Sequence, residues 1–85
     1  MGKKEMLEKA IEDNKMTIVV SEVDIEYYQQ KGKEIDKMKN KKKDDREVKK
    51  LLVQENKDNI ERVEKKIETL KKWVKVAENR LKKEE

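Results

Sequence analysis

The chain has 85 residues, of which 33% are hydrophobic and 4% aromatic, and this composition excludes a conventional globular core. Charged residues make up 52% of the chain, with 24 basic and 20 acidic side chains interleaved to a net charge of +4. The absence of Cys and His excludes disulfides, thiolate or imidazole catalysis and the usual zinc sites. No apolar run approaches the length of a membrane span or a signal-peptide core, so we expect no membrane association and a cytoplasmic location.

The first predicted element is a helix over about residues 3–39, in which apolar residues recur at one-turn spacing. Within it, the β-branched run at residues 16–20 fits either helix or a short strand. We favour helix because Ile11, Ile18 and Ile25 keep a seven-residue spacing through this run. The alternative is a strand that pairs across a dimer, as in some DNA-binding regulators.

A basic turn over about residues 40–44 is predicted next, because the apolar seam fails there. The expected core positions are all cations, which cannot be buried together: Lys39, Lys42, Arg46 and Lys49. We expect Asn40 to close the first helix in a left-handed conformation, and Asp44 with Glu47 to form a capping box for the second.

The second predicted helix covers about residues 45–84 and carries the clearest signal in the chain. Its apolar residues alternate at spacings of three and four, with a positions at Ile60, Ile67, Val74 and Leu81 and d positions at Val63, Leu70 and Ala77. This pattern is the seam of a coiled coil, and the lysine-rich break before it favours an antiparallel hairpin. The alternative is one continuous helix in a parallel coiled-coil spacer.

In an antiparallel hairpin, the residue numbers of two facing seam residues add up to a constant sum. A sum of 88 gives layers that are mostly apolar. This register pairs Leu7 with Leu81, Ile11 with Ala77 and Ile18 with Leu70, and it places the small Gly32 beside the polar Asn56. The predicted fold is therefore all-α: a single helical domain over residues 1–85, forming a hairpin that dimerises into a four-helix bundle.

The carboxylates indicate helix stabilisation rather than catalysis. Four acidic residues precede a cation by one turn, as Asp58–Arg62, Glu61–Lys65, Glu68–Lys72 and Glu78–Lys82. The chain has no glycine-rich phosphate loop, nucleophile elbow or calcium-binding spacing. We expect a protein that is not an enzyme, with no catalytic residue, cofactor or metal site.

Apolar residues off the seam predict a protein interface, since a hairpin alone would expose them. The candidate interface residues are Met16, Val20, Val23, Tyr27, Leu51, Leu52, Trp73 and Val76. They favour a homodimer with a further protein partner, and hence a small adaptor, assembly factor or inhibitor.

The basic turn supplies the alternative function, nucleic-acid binding through phosphate contacts. The candidate phosphate-binding residues are Lys39, Lys41, Lys42, Lys43, Arg46 and Lys49. No aromatic residue interleaves with these cations to stack on bases, so a solvated turn is the simpler interpretation. The Lys, Glu, Asn and Ile usage suits an AT-rich genome, such as that of a phage, and equally a thermophile.

Overall fold

The computed structural model describes residues 2–84, which form two helices. Helix α1 spans Lys3–Asp36 and helix α2 spans Lys43–Glu84. They pack against each other along their length as an antiparallel hairpin, a rod of 65 × 16 × 14 Å. The all-helical fold and the two-helix hairpin predicted from the sequence are confirmed.

The core of the rod is one continuous stripe on each helix. Its main cluster joins six buried residues, Ile11, Ile18, Val63, Ile67, Val74 and Ala77, with five partly buried ones packed against them, Leu7, Ile25, Tyr28, Leu70 and Leu81. All eleven lie at the seam positions read from the sequence. Among residues 2–84, only the small Ser21 is almost fully enclosed, at 1% exposure. Two helices alone therefore build a core one side chain thick.

Residues 16–20 are helical and lie in the middle of α1. Ile18 is buried in the seam while Met16, Val19 and Val20 are exposed. The seven-residue spacing therefore outweighs the strand preference of β-branched side chains, because burial of Ile18 depends on a helical period.

Helix α1 ends at Asp36, earlier than the predicted 39, in a tight turn. The N–H of Lys37 donates to the carbonyl of Glu34 at 3.2 Å, and that of Met38 to Ile35 at 3.0 Å. No residue other than glycine within residues 2–84 has a positive φ, so the predicted left-handed cap at Asn40 is wrong. Hydrogen bonds from each N–H to the carbonyl three residues earlier satisfy the last carbonyls of the helix instead.

Lys49 completes this helix end from across the turn. Its Nζ donates to the carbonyl of Asp36 at 2.9 Å and lies 3.5 Å from that of Met38. A cation suits this position because the free carbonyls at a helix C-terminus carry partial negative charge. A lysine at a predicted core position is thus accommodated as a cap for the opposite helix.

Helix α2 begins at Lys43, before the predicted capping residue. The Lys42 carbonyl accepts the N–H of Arg46 at 3.1 Å, while Asp44 and Asp45 lie in the first turn. The capping box expected at Asp44 is therefore wrong, since Asp44 is already helical. Its carboxylate still lies near the helix N-terminus, where negative charge is favourable.

A contact between Gly32 and Asn56 fixes the register of the two helices. Asn56 is buried at 8% exposure, and its Nδ2 donates to the backbone carbonyl of Tyr28 at 2.9 Å. A Cβ on Gly32 would lie 3.0 Å from that same Nδ2. The amide reaches the α1 backbone because position 32 has no side chain. The predicted pairing of Gly32 with Asn56 is confirmed.

The Gly32–Asn56 pairing lowers the stability of the hairpin but defines the alignment of its helices. The Oδ1 of Asn56 is buried and has no hydrogen-bond partner within residues 2–84. An unsatisfied buried polar atom costs about 1–3 kcal/mol. Sliding α2 along α1 would also break the bond to Tyr28 and place the amide against side chains, so the penalty for a wrong register is larger.

We predict that the effect of Gly32→Ala changes sign with the residue at position 56. Replacing glycine in a helix interior by alanine gains about 1 kcal/mol when the site is open. In the wild-type chain the new methyl group displaces Asn56, and we expect a net loss of stability. In an Asn56→Ala background the clash is absent, and the same change should stabilise by about 1 kcal/mol. Thermal and urea unfolding of the four chains measure this cycle, and equal effects in both backgrounds would contradict it.

Candidate interaction surfaces

The outer stripe of α1 consists of Met16, Val20, Val23 and Tyr27, which lie on the helix face opposite the seam. Their spacings of four, three and four residues keep them on one face over about 16 Å. All are more than half exposed, from 53% at Val20 to 62% at Met16. The structure brings these four predicted interface residues together as one apolar strip.

Tyr27 is positioned by its neighbour in the seam. The rings of Tyr27 and Tyr28 meet edge to face, with centroids 5.4 Å apart and planes at 64°. Tyr28 is partly buried against the core, whereas Tyr27 is 61% exposed. The outer ring is therefore held at the surface by an inner one, an arrangement that limits its rotamer freedom before any partner binds.

The four predicted interface residues on α2 lie in two other places. Trp73 and Val76, 42% and 68% exposed, lie toward the open end of the hairpin. Leu51 is 71% exposed near the turn, and Leu52 beside it is partly buried. The eight residues therefore do not form one patch.

An ion pair between the helices shows which heptad positions flank the seam. Lys15 Nζ lies 3.3 Å from Glu78 Oε2, and both residues occupy e positions. In an antiparallel pair of helices, e faces e along one edge of the seam and g faces g along the other. The hairpin therefore has two distinguishable broad sides, one bordered by e and b positions and one by g and c positions.

The e and b positions form a charged side. None of the e positions in either helix is apolar: Glu8, Lys15, Glu22, Gln29 and Asp36 in α1, and Lys43, Lys50, Lys57, Glu64, Lys71 and Glu78 in α2. Of the b positions, Val19 is the one aliphatic residue. This side has the composition of a solvated helix surface.

The g and c positions form what we call the apolar side. Its apolar residues are Met6, Ala10, Val20 and Tyr27 on α1 and Val48, Leu52, Trp73 and Val76 on α2. Met6 is 60% exposed and was missed as an interface residue when the sequence was considered alone. The signal was present in the heptad positions, but assigning g positions of both helices to one side requires the hairpin register.

The charges inside the helices follow the predicted pattern in part. Lys65 and Lys72 pair with Glu61 and Glu68 one turn earlier, each at 3.2 Å. Glu78 pairs across the hairpin with Lys15 rather than with Lys82, and Asp58 accepts from Gln54 Nε2 at 2.9 Å. These exposed contacts contribute a few tenths of a kcal/mol each and hold no reactive geometry.

The turn gathers the predicted phosphate-binding residues at one end of the rod. Five of these cations are exposed: Lys39, Lys41, Lys42, Lys43 and Arg46. Lys49 is partly buried, and its Nζ is hydrogen-bonded to the carbonyl of Asp36 at the end of α1. We call the five exposed residues the basic tip. Lys49 is thus structurally distinct from the other candidates.

Other kinds of site find no support in the part of the chain that the structure describes. Within residues 2–84, no group of three or more acidic, His or Cys side chains is arranged to hold a metal ion. Neither described helix contains a stretch sufficiently long and apolar to traverse a bilayer.

No protein-family model matches the chain, and neither the search of curated proteins nor that of solved structures finds a match.

Proposed function

We propose that this protein is a non-enzymatic helical interaction protein that acts through protein–protein contacts of its helix faces. The observation that carries the proposal is the exposure of large apolar side chains along a well-packed hairpin. Trp73 and Tyr27 are among them, and such aromatic residues dominate binding energy at protein interfaces. The residue types and their arrangement suit an adaptor, assembly factor or inhibitor.

The outer stripe of α1 suits a helix-in-groove contact with another protein. Its residues repeat at i, i+4, i+7 and i+11, the spacing by which one helix face enters an apolar groove. Burying about 100 Å² on each of four side chains would gain roughly 10 kcal/mol before the costs of association. Those costs are of similar size, so the stripe alone supports a modest, reversible affinity.

Self-association into a four-helix bundle is the second part of the proposal. The rod exposes 7225 Å² at a mass of 10.3 kDa. A compact protein of this mass exposes about 5,400 Å². A two-helix rod cannot enclose its remaining apolar residues, and pairing two such rods is a common solution.

We predict that lysines in the outer stripe abolish a specific partner contact. In pull-downs from the native host, Met16→Lys with Val23→Lys should lose a protein that the wild-type chain captures, because two charges would be buried in the contact. The matched control is Gln29→Lys with Gln30→Lys, which adds the same charge to exposed polar positions of α1. Circular dichroism checks that both variants remain helical. Capture of the same proteins by both variants would contradict a role for the stripe.

We predict that the wild-type chain sediments as a dimer at micromolar concentration. The expected mass is twice 10.3 kDa, and dilution should produce a monomer of lower thermal stability, since association stabilises by mass action. Sedimentation equilibrium across a hundredfold concentration range measures this. A stable folded monomer throughout would overturn the bundle.

The basic tip supports nucleic-acid binding as the alternative function, because its five cations are exposed at one end of the rod. For this function we predict that Lys41→Gln, Lys42→Gln and Lys43→Gln together weaken duplex binding and reduce the slope of log K against log salt by about 2–3. Lys3→Gln, Lys82→Gln and Lys83→Gln remove the same charge at the opposite end and serve as the control. Equal losses in both triple variants would indicate only net charge, and would exclude the tip as a binding site.

A further inference from the structure

We infer that two copies of this chain pair through their apolar sides, with the two-fold axis running along the rod so that both basic tips lie at the same end. This inference rests on the proposed self-association and specifies its surface and symmetry. Each α1 then packs on the partner's α2, antiparallel to it. The occupant of the apolar side is a second copy of the chain.

The area available selects the apolar side over the outer stripe. A stable complex buries about 800 Å² on each partner. The four side chains of the outer stripe supply only about 400 Å². A broad side of the rod measures 65 × 16 Å, or about 1,000 Å². Only a broad side is large enough, and on the other broad side every e position is polar.

The positions of Trp73 and Ala10 support the same side. Core-facing helices of a bundle are apolar at a and d together with either e or g. Here the g positions include Ala10, Leu52 and Trp73, whereas no e position is apolar. Trp73 is 42% exposed on the isolated hairpin, which is a large aromatic surface for a g position to leave in water.

The charges around Asp24 favour the axis along the rod. With the axis along the rod, residues at equal height face each other, and the sum of 88 that aligns α1 with α2 also aligns α1 with the partner's α2. Asp24 then lies between the partner's Lys66 and the partner's Arg62, and Tyr27 lies over the partner's Arg62. Opposite charges meet twice, once on each side of the axis.

A two-fold axis perpendicular to the rod, centred at the height of Trp73, gives an unfavourable contact. It places α2 on the partner's α2 and reverses the rod, so that Arg80 faces the partner's Lys66 at both symmetry-related positions. Like charges opposed at an interface cost several kcal/mol. At this height the perpendicular axis therefore opposes like charges that the axis along the rod keeps apart.

The two symmetries differ sharply in the distance between the turns. The chain contains no Cys, so Lys41→Cys provides a single labelling site in an exposed turn. Double electron–electron resonance between spin labels at position 41 of the two copies should give a distance under about 30 Å, the width of a four-helix bundle. The perpendicular axis at the height of Trp73 would give about 90 Å, since 30 residues of helical rise separate Trp73 from the start of α2 at Lys43 in each copy. A distance near 90 Å would overturn the inference while leaving self-association intact.

A charge exchange tests the facing residues. The test uses two variants, the single variant Asp24→Lys and the double variant Lys66→Glu with Arg62→Glu. Each variant by itself should raise the dimer Kd at least tenfold, because each homodimer opposes like charges. An equimolar mixture should recover the wild-type Kd within about threefold, since the lysine introduced by Asp24→Lys in one variant then faces the acidic residues introduced in the other. Circular dichroism of each variant checks that the hairpin itself still folds.

Repulsion within one chain cannot be relieved by mixing, so failure of the mixture to recover the wild-type Kd would overturn the proposed pairing. A wild-type monomer would instead overturn the proposed self-association.

Discussion

The alignment of the two helices by Asn56 and Gly32 is the constraint on which the other features depend. The side-chain amide reaches the Tyr28 carbonyl through the space that a Cβ at position 32 would occupy. Once this register is set, Lys15 meets Glu78, and the g positions of both helices fall on one side. A shift by one heptad would preserve many apolar layers but would bring different charges together. The polar layer therefore determines which surfaces the molecule presents.

The helices and their alignment could be predicted from the sequence because the seam is long and regular. Ile60 to Leu81 sets the heptad, and Ile11, Ile18 and Ile25 continue it on the other helix. The ends of the helices at the turn could not be predicted, because they depend on a contact between them. Lys49 caps α1 only after the chain has folded back. Nothing in the local sequence around Asp36 encodes that partner.

The candidate surfaces were predicted residue by residue, but their grouping required the three-dimensional register. Val20 and Trp73 are each recognisable as off-seam apolar residues. Their common location on one side follows only from the antiparallel arrangement, in which g faces g. Met6 was missed for the same reason. The proposed function depends on how these surfaces are distributed around the rod.

The Gly32–Asn56 contact also has an evolutionary consequence. A mutation that adds a side chain at position 32 would be tolerated only in a chain that has already lost the amide at position 56. Conversely, loss of Asn56 would release position 32 to drift toward better helix formers. The two positions should therefore change together among descendants that keep this hairpin, with the loss of Asn56 preceding any side chain at position 32.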